Sequence, residues 1–484
     1  MGPETIMGGA VSARKAVAIW LALALVPAAA AADDGFRIAE PGRTFHFPRD
    51  HGAHPAYRTE WWYYTGQLRV IGEVDPATGS ATAPGSAAAT GSATAAATGS
   101  ATAAATGSAT AAATEAGDVT DLGIQLTFFR SGVDRRRPPR ASAWALRDLY
   151  FAHLAIADLR DLPAAAGTAT GDAPPAGDAR PTGDARPTGD ARPTGIAPPA
   201  GDAGRFRFAE RRSRGALDMA GADSTNLHVW IDDWSAHRSA DGSHHLVARQ
   251  VGADGAFGLD LVLDPRKPPV IHGRDGVSVK GAGHGAASHY ISLTRLAVDG
   301  TVELGGRVLR VRGLAWMDHE FSTSTLDPDQ VGWDWFGLHL ADGSDLMLYR
   351  MRRADGSASP TSSATLIDPD GRAIHLDRAA SLAAPTGAGW QSPATGARYP
   401  LTWRLELPEL GRALAVTAPL APCELGTTES TGVTYWEGPV RVRCAPAPAD
   451  STAAPAATST ASATPCGQGY MELTGYAEAF RARL

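Results

Sequence analysis

In the run Leu314-Ala315-Trp316-Met317-Asp318-His319-Glu320-Phe321, an acid, a histidine and a second acid sit among large apolar residues. A carboxylic acid kept from water among rings holds its proton to higher pH, and aromatic faces steady a nearby cation by about 2 kcal/mol when desolvated. Read at period two, Leu314, Trp316, Asp318 and Glu320 share one face of a strand, and Ala315, Met317, His319 and Phe321 share the other. A second strand-like run at 332–340 adds Trp333 and Trp335, then turns at Asp342-Gly343 into 345–350 in a hairpin pattern. Asp318 is therefore a candidate functional acid, with Trp316, Trp333 and Trp335 as pocket walls. The competing reading makes Asp318 and His319 a buried polar pair that holds strands together.

A further acid opens Glu60-Trp61-Trp62-Tyr63-Tyr64. Alternation groups Glu60 with Trp62, Tyr64 and Leu68, away from Gln67 and Arg69, which points it inward as a second acid or base. A salt bridge to an arginine such as Arg130 would explain the same placement. Trp62 and Tyr64 are read as pocket residues, with core packing as the alternative. His51, His54, Glu60, His319 and Glu320 could be gathered around a metal. However, His51-Gly52-Ala53-His54 is not a zinc spacing and no cysteine lies near, so no metal is expected. No cofactor is expected either, since Gly-rich nucleotide loops are missing. A serine hydrolase has little residue support, because there is no Gly-x-Ser-x-Gly elbow.

Positioning these groups requires β-structure. The chain is a series of short alternating segments broken by Gly and Asp turns, interrupted by three low-complexity inserts at about 76–117, 164–204 and 445–465. The second insert repeats Gly-Asp-Ala-Arg-Pro-Thr from Gly177, Gly183 and Gly189. Such compositions offer too little apolar area to repay chain entropy, so the inserts are read as disordered loops at hairpin tips. No segment carries a helical stripe apart from a short one near Ala380. A length of 484 residues accommodates two or three domains. The net charge of −7, with no basic block, argues against nucleic acid or anionic lipid as partners. Arg14 and Lys15 precede an apolar run at 16–26 and alanines to Ala32, the pattern of a cleaved secretory signal at 1–32. An exported protein, periplasmic or extracellular, with no membrane span after cleavage is expected. Export permits disulfides. Cys423, Cys444 and Cys466 allow either one pair plus a thiol, with Cys444 and Cys466 closing the third insert, or three thiols. The residues specify no oligomeric state.

Four phrases occur in order: 47–55 (Phe47-Pro48-Arg49-Asp50-His51-Gly52-Ala53-His54-Pro55), 59–66 (Thr59-Glu60-Trp61-Trp62-Tyr63-Tyr64-Thr65-Gly66), 313–321, and 432–438 (Gly432-Val433-Thr434-Tyr435-Trp436-Glu437-Gly438). Through them the chain resembles the lipocalin-like family that joins AttH-type secreted proteins to carotenoid 1,2-hydratases, over nearly all of the mature chain outside the inserts. The resemblance implies an all-β fold of two lipocalin-like antiparallel β-barrel domains in tandem, at 33–325 and 326–484, with a cavity for a hydrophobic ligand. It implies that Asp318 protonates an alkene, that His319 matches the adjacent histidine, and that His289 matches an upstream one. Ser288-His289-Tyr290 and Glu320-Phe321 depart from the hydratases' pattern. The expected function is acid-catalysed hydration of a C=C bond in an isoprenoid- or lipid-like substrate. Asp318 would be the donor, with His319, His289 and Glu60 assisting. A non-catalytic carrier of hydrophobic ligands is the alternative from another class, and many bacterial members bear only the label of predicted secreted hydrolase.

Overall fold

The computed structural model describes residues 35–74, 81–82, 120–133, 135, 142, 144–162, 204–252, 255–323, 326–376, 382–446 and 463–480. The expected signal segment, nearly all of the three inserts and Ala380 lie outside them. Among the described residues the regular structure is strand, apart from short 3-10 turns.

Two antiparallel sheets carry the chain. The first runs, in spatial order, through Phe206–Arg214, Asp148–Asp158, Leu122–Gly132, Thr59–Val74, Arg307–Ser322, Ala287–Leu304, Gly255–Pro265, His244–Gly252, Trp234–Arg238, His228–Ile231 and Ala220–Ala222. The second runs through Ala373–His375, Ser363–Ile367, Asp345–Arg353, Gln330–Leu340, Thr464–Thr474, Thr434–Pro446, Arg412–Thr417, Thr402–Leu407 and Ala383–Thr386. The strands holding Glu60 and Asp318 are hydrogen-bonded neighbours at the centre of the first sheet.

The expectation of two closed barrels is corrected here. The first sheet is an open half-barrel and the second is also unclosed, because the terminal strands of each order do not pair with one another. Closure requires a continuous backbone ladder. At the free edge of the first sheet, arginine side chains bridge instead: Arg211 donates to the carbonyls of Ile231 (3.4 Å) and Arg249 (3.2 Å) and lies over the Trp234 ring at 4.3 Å. The second sheet ends in short strands, one of them carrying Pro385, which lacks an N–H for a further partner.

Alternation explains why the central strands are buried on both faces. Trp62, Tyr64, Leu68, Ala315 and Met317 face the interior of the half-barrel, with Leu126, Phe128, Leu154 and Leu261. Tyr63, Trp316 and Tyr290 point the other way, onto Trp335, Met347, Tyr349 and Tyr470 of the second sheet. The sheets are tied by polar contacts as well. Gln67 Nε2 donates to the Val440 carbonyl at 2.8 Å, and His153 Nδ1 lies 2.8 Å from the Tyr435 hydroxyl. The ladder slips between Leu293 and Leu296. At this bulge Thr294 and Arg295 both reach Asp345 of the second sheet, at 3.0 and 2.7 Å, with Lys267 Nζ at 2.8 Å.

Cys444 and Cys466 form a disulfide with a sequence separation of 22, and Cys423 is buried outside it. Closing a loop of that length stabilises by about 3 kcal/mol, mainly by constraining the unfolded chain. A Cys444→Ser, Cys466→Ser variant is expected to lose about that much in urea unfolding, with the far-ultraviolet spectrum unchanged. An unchanged midpoint would refute the assignment.

Candidate active site between the sheets

Seven acids are buried among the described residues: Asp50, Glu60, Asp318, Glu320, Asp334, Asp345 and Glu437. Five are matched by a cation: Asp50 by Arg43, Glu60 by Arg130, Glu320 by Lys280, Asp334 by Arg350 and Arg352, and Asp345 by Lys267 and Arg295. Asp318 and Glu437 have no such partner. Burying an unpaired carboxylate is costly, so the group keeps its proton instead. Both acids lie in the packed layer between the two sheets, beside Tyr63, Tyr290, Trp335 and Tyr470.

Asp318 lies in a cross-strand row with Tyr63 on one side and Ser292 on the other. Its Oδ1 accepts from Ser292 Oγ (2.5 Å) and Trp316 Nε1 (2.6 Å), and its Oδ2 accepts from the Tyr290 hydroxyl (2.6 Å). Tyr290 is itself held by Trp335 Nε1 at 2.9 Å, and Ser292 by His272 Nε2 at 2.7 Å. Burial pushes the Asp318 carboxyl up to about 7; the three donors pull it down and Glu320 pushes it up further. The nearest cation, Lys280, bonds Glu320 at 3.4 Å and sits over the rings of Tyr349 (3.9 Å) and Tyr290 (4.9 Å). The arrangement is an acid that retains its proton near neutrality, with three donors already aimed at its conjugate base.

On the facing wall, Trp333 and Trp335 were expected from the sequence, but Glu437 and Glu472 were not singled out. Trp335, Glu472 and Glu437 form a cross-strand row of the second sheet. The Tyr63 hydroxyl donates to Glu437, and Trp333 Nε1 donates to Glu472 at 2.8 Å. The cue was available: Glu437 and Glu472 are acids inside apolar alternating strands, the same feature that marked Asp318. Tyr290, Ser292 and Lys280 carried no comparable cue, since each reaches Asp318 or Glu320 across strands.

The other expected residues lie on the opposite face of the first sheet. His319 Nε2 bonds Glu60 Oε1 at 2.8 Å, and Arg130 Nε bonds Glu60 Oε2 at 3.0 Å. Burial would raise the Glu60 carboxyl, but Arg130, His319 and His54 together hold it well below the usual range. Burial lowers His319 despite Glu60, and lowers His289 as well. His289 bonds the Gly276 carbonyl (2.7 Å) and the Tyr57 hydroxyl (3.1 Å), and it is the cross-strand neighbour of Phe321. Trp62 stacks on His319 with centroids 5.0 Å apart, and the Tyr64 hydroxyl meets His244 Nδ1 at 2.9 Å. The structure therefore brings Trp316 and Trp335 to Asp318 and Trp333 to Glu472. It does not bring His319, His289, Glu60, Trp62 or Tyr64 to Asp318.

Ligand atoms of His54, Glu60 and His319 lie within 4.8 Å of one another, close enough for a metal. However, both ring nitrogens of His54 point at carboxylate oxygens, Asp50 Oδ1 and Glu60 Oε1, each at 2.9 Å. Both His54 nitrogens are thus met by carboxylates and Arg130 occupies the other Glu60 oxygen, so these side chains already form a connected hydrogen-bond network. A cavity of about 560 Å³ opens beside this network, lined by Arg37, Arg43, Arg49, His54 and Tyr57, and not by Asp318.

A family model described as AttH-like matches residues 38–75 and 196–476. The chain belongs to the AttH-like family. The acids of the AttH-like chain named above all fall in the matched residues, whereas Arg130 lies between the two matched parts. A Nitrosomonas europaea protein provisionally assigned as AttH has a similar crystal structure, with 27% identity and a TM-score of 0.61, over 91% of this chain and 100% of that one. Kievitone hydratase from Nectria haematococca aligns with 11% identity and a TM-score of 0.51, over 91% of this chain and 98% of that one, a likeness of fold alone. No curated protein matches the sequence. No helix among the described residues is long and apolar enough to cross a membrane.

Proposed function

We propose that this AttH-like protein is an exported enzyme that hydrates a C=C bond of an apolar, isoprenoid- or lipid-like substrate, with Asp318 as the proton donor. One observation carries the reading: Asp318 is a buried acid without a cation partner, held near neutral pH and walled by Trp316, Trp335, Tyr63 and Tyr290. The Asp318 proton passes to one alkene carbon as the π pair forms the C–H bond. Ring faces stabilise the cation left on the other carbon, and the three donors stabilise the new carboxylate. Water then adds to the cation. The resemblance to carotenoid 1,2-hydratases supports this choice of reaction. The N-terminal signal pattern and the Cys444–Cys466 disulfide support export.

Apolar extracts incubated with the protein in heavy-oxygen water provide the test. A product heavier than its precursor by one labelled water is expected by mass spectrometry. A ligand recovered unchanged from the protein, with no labelled product, would overturn hydration in favour of a carrier.

A further inference from the structure

We propose that Glu437 and Glu472 form a proton-sharing carboxylate pair, and that this pair is the base which takes a proton from the attacking water, opposite Asp318. The pair itself rests on geometry; its catalytic half rests on the hydration reading above.

Glu437 and Glu472 are direct cross-strand partners. Such partners project from the same face with Cβ atoms about 4.5–5.5 Å apart, and like charges there repel. Glu437 is 1% exposed, and among the described residues its carboxyl meets one hydrogen-bond donor, the Tyr63 hydroxyl at Oε1. Its Oε2 is buried without a partner, an acceptor left open inside the site. Glu472 Oε1 receives Trp333 Nε1 and Thr474 Oγ1, both at 2.8 Å. The groups that face Glu437 are Tyr63 from the first sheet and Tyr435, Tyr470 and Glu472 from its own. Those that face Glu472 are Glu437, Tyr63, Tyr435 and Glu320. Among the described residues none of these groups is a cation that would favour ionising both carboxyls together, and burial pushes both up.

The row Trp335–Glu472–Glu437 faces the row Ser292–Asp318–Tyr63 across the two sheets. Three contacts join them: the Tyr63 hydroxyl to Glu437, the Tyr63 ring edge-on to Trp335 at 5.3 Å, and Trp335 through Tyr290 to Asp318. A substrate between the rows has an acid on one side and a pair holding one proton on the other. Asp318 gives its proton to carbon. The water oxygen forms the C–O bond, and the O–H bond that breaks sends its proton to the ionised member of the pair. The turnover leaves Asp318 ionised and the pair doubly protonated, and solvent exchange restores both, with no other reactant. Glu472 keeps part of its surface accessible, which gives that exchange a route.

Two measurements on the full chain test the proposal. In a carboxyl-carbon NMR titration of glutamate-labelled protein, the pair is expected to lose its protons in two well-separated steps, the second well above the ordinary carboxylate range. Glu472→Gln should merge them into one step for Glu437, and Glu437→Gln should do the same for Glu472. Two overlapping titrations in the ordinary range near about 4.3 would overturn the pair whether or not the protein turns over. In kinetics, Glu472→Gln should lower kcat by about 100-fold or more with ligand affinity within about twofold. It should also erase the acidic limb of the pH–rate profile and leave the basic limb of Asp318. A variant that retains kcat and both limbs would overturn the catalytic role. An intact pair in a protein with no hydration product would instead overturn the hydration reading alone.

Discussion

Asp318→Asn is expected to lower turnover by about 10²- to 10⁴-fold, the usual worth of a positioned general acid, and to leave ligand affinity within about twofold. Asparagine keeps the shape and can still accept from Ser292 and Trp316, but it has no proton to give. In the wild type, kcat should fall as pH rises through about 7, where Asp318 loses its proton. The same ionisation has a stability signature. The folded carboxyl is raised from 3.8 to about 7, so the native state binds the proton more tightly than the unfolded chain. Its contribution is fully present below about pH 4 and is lost as pH rises through 7, a swing of about 4 kcal/mol. Urea unfolding between pH 4 and 8 should show the wild type losing stability relative to Asp318→Asn by roughly that amount. Undiminished turnover in the variant, or parallel stability curves, would sink the proton-donor role.

Period-two alternation made much of this legible. It placed Trp316 with Asp318 and Glu60 with Trp62, and it put Asp318 and His319 on opposite faces, as the structure has them. Alternation is local, however, and says which way a side chain points, not what it meets. Assigning His319 and His289 to Asp318 came from the family's motif, and strand direction alone separates His319 from Asp318. Closure of the sheets was similarly inferred from kinship, whereas the edge carrying Arg211 is bridged by guanidinium contacts that no periodicity reveals. The pairing of Glu437 with Glu472 depends on a register between strands on either side of an insert, and Tyr63 meets Glu437 from 374 positions away. Contacts that distant are set by how two sheets stack.

The largest stability effect should come from Glu60, whose two oxygens gather His54, His319 and Arg130 behind the half-barrel wall. Arg130 is only 1% exposed and also donates to the carbonyls of His54 and Tyr57. Glu60→Ala would leave that guanidinium with Asp148 as its one anionic partner among the described residues, strip His319 Nε2 of its carboxylate and leave His54 with Asp50 alone. A buried charge stranded in this way costs about 3–5 kcal/mol, against well under 1 kcal/mol for a surface pair. The sign with pH is opposite to that of Asp318. The folded Glu60 carboxyl is held below its unfolded value, so its contribution is present above about pH 4.3 and is lost as pH falls through the folded pKa. Glu60→Gln should therefore flatten the acid limb of the stability curve, where Asp318→Asn flattens the slope toward neutrality. Urea midpoints at pH 7 and pH 3 separate the two. A loss below about 1 kcal/mol for Glu60→Ala, accompanied by loss of turnover, would make Glu60 a catalytic acid and not an anchor. The division of labour between the two faces of one strand pair depends on that comparison, because Glu60 and Asp318 lie on adjacent strands and differ in whether an arginine stands beside the carboxyl.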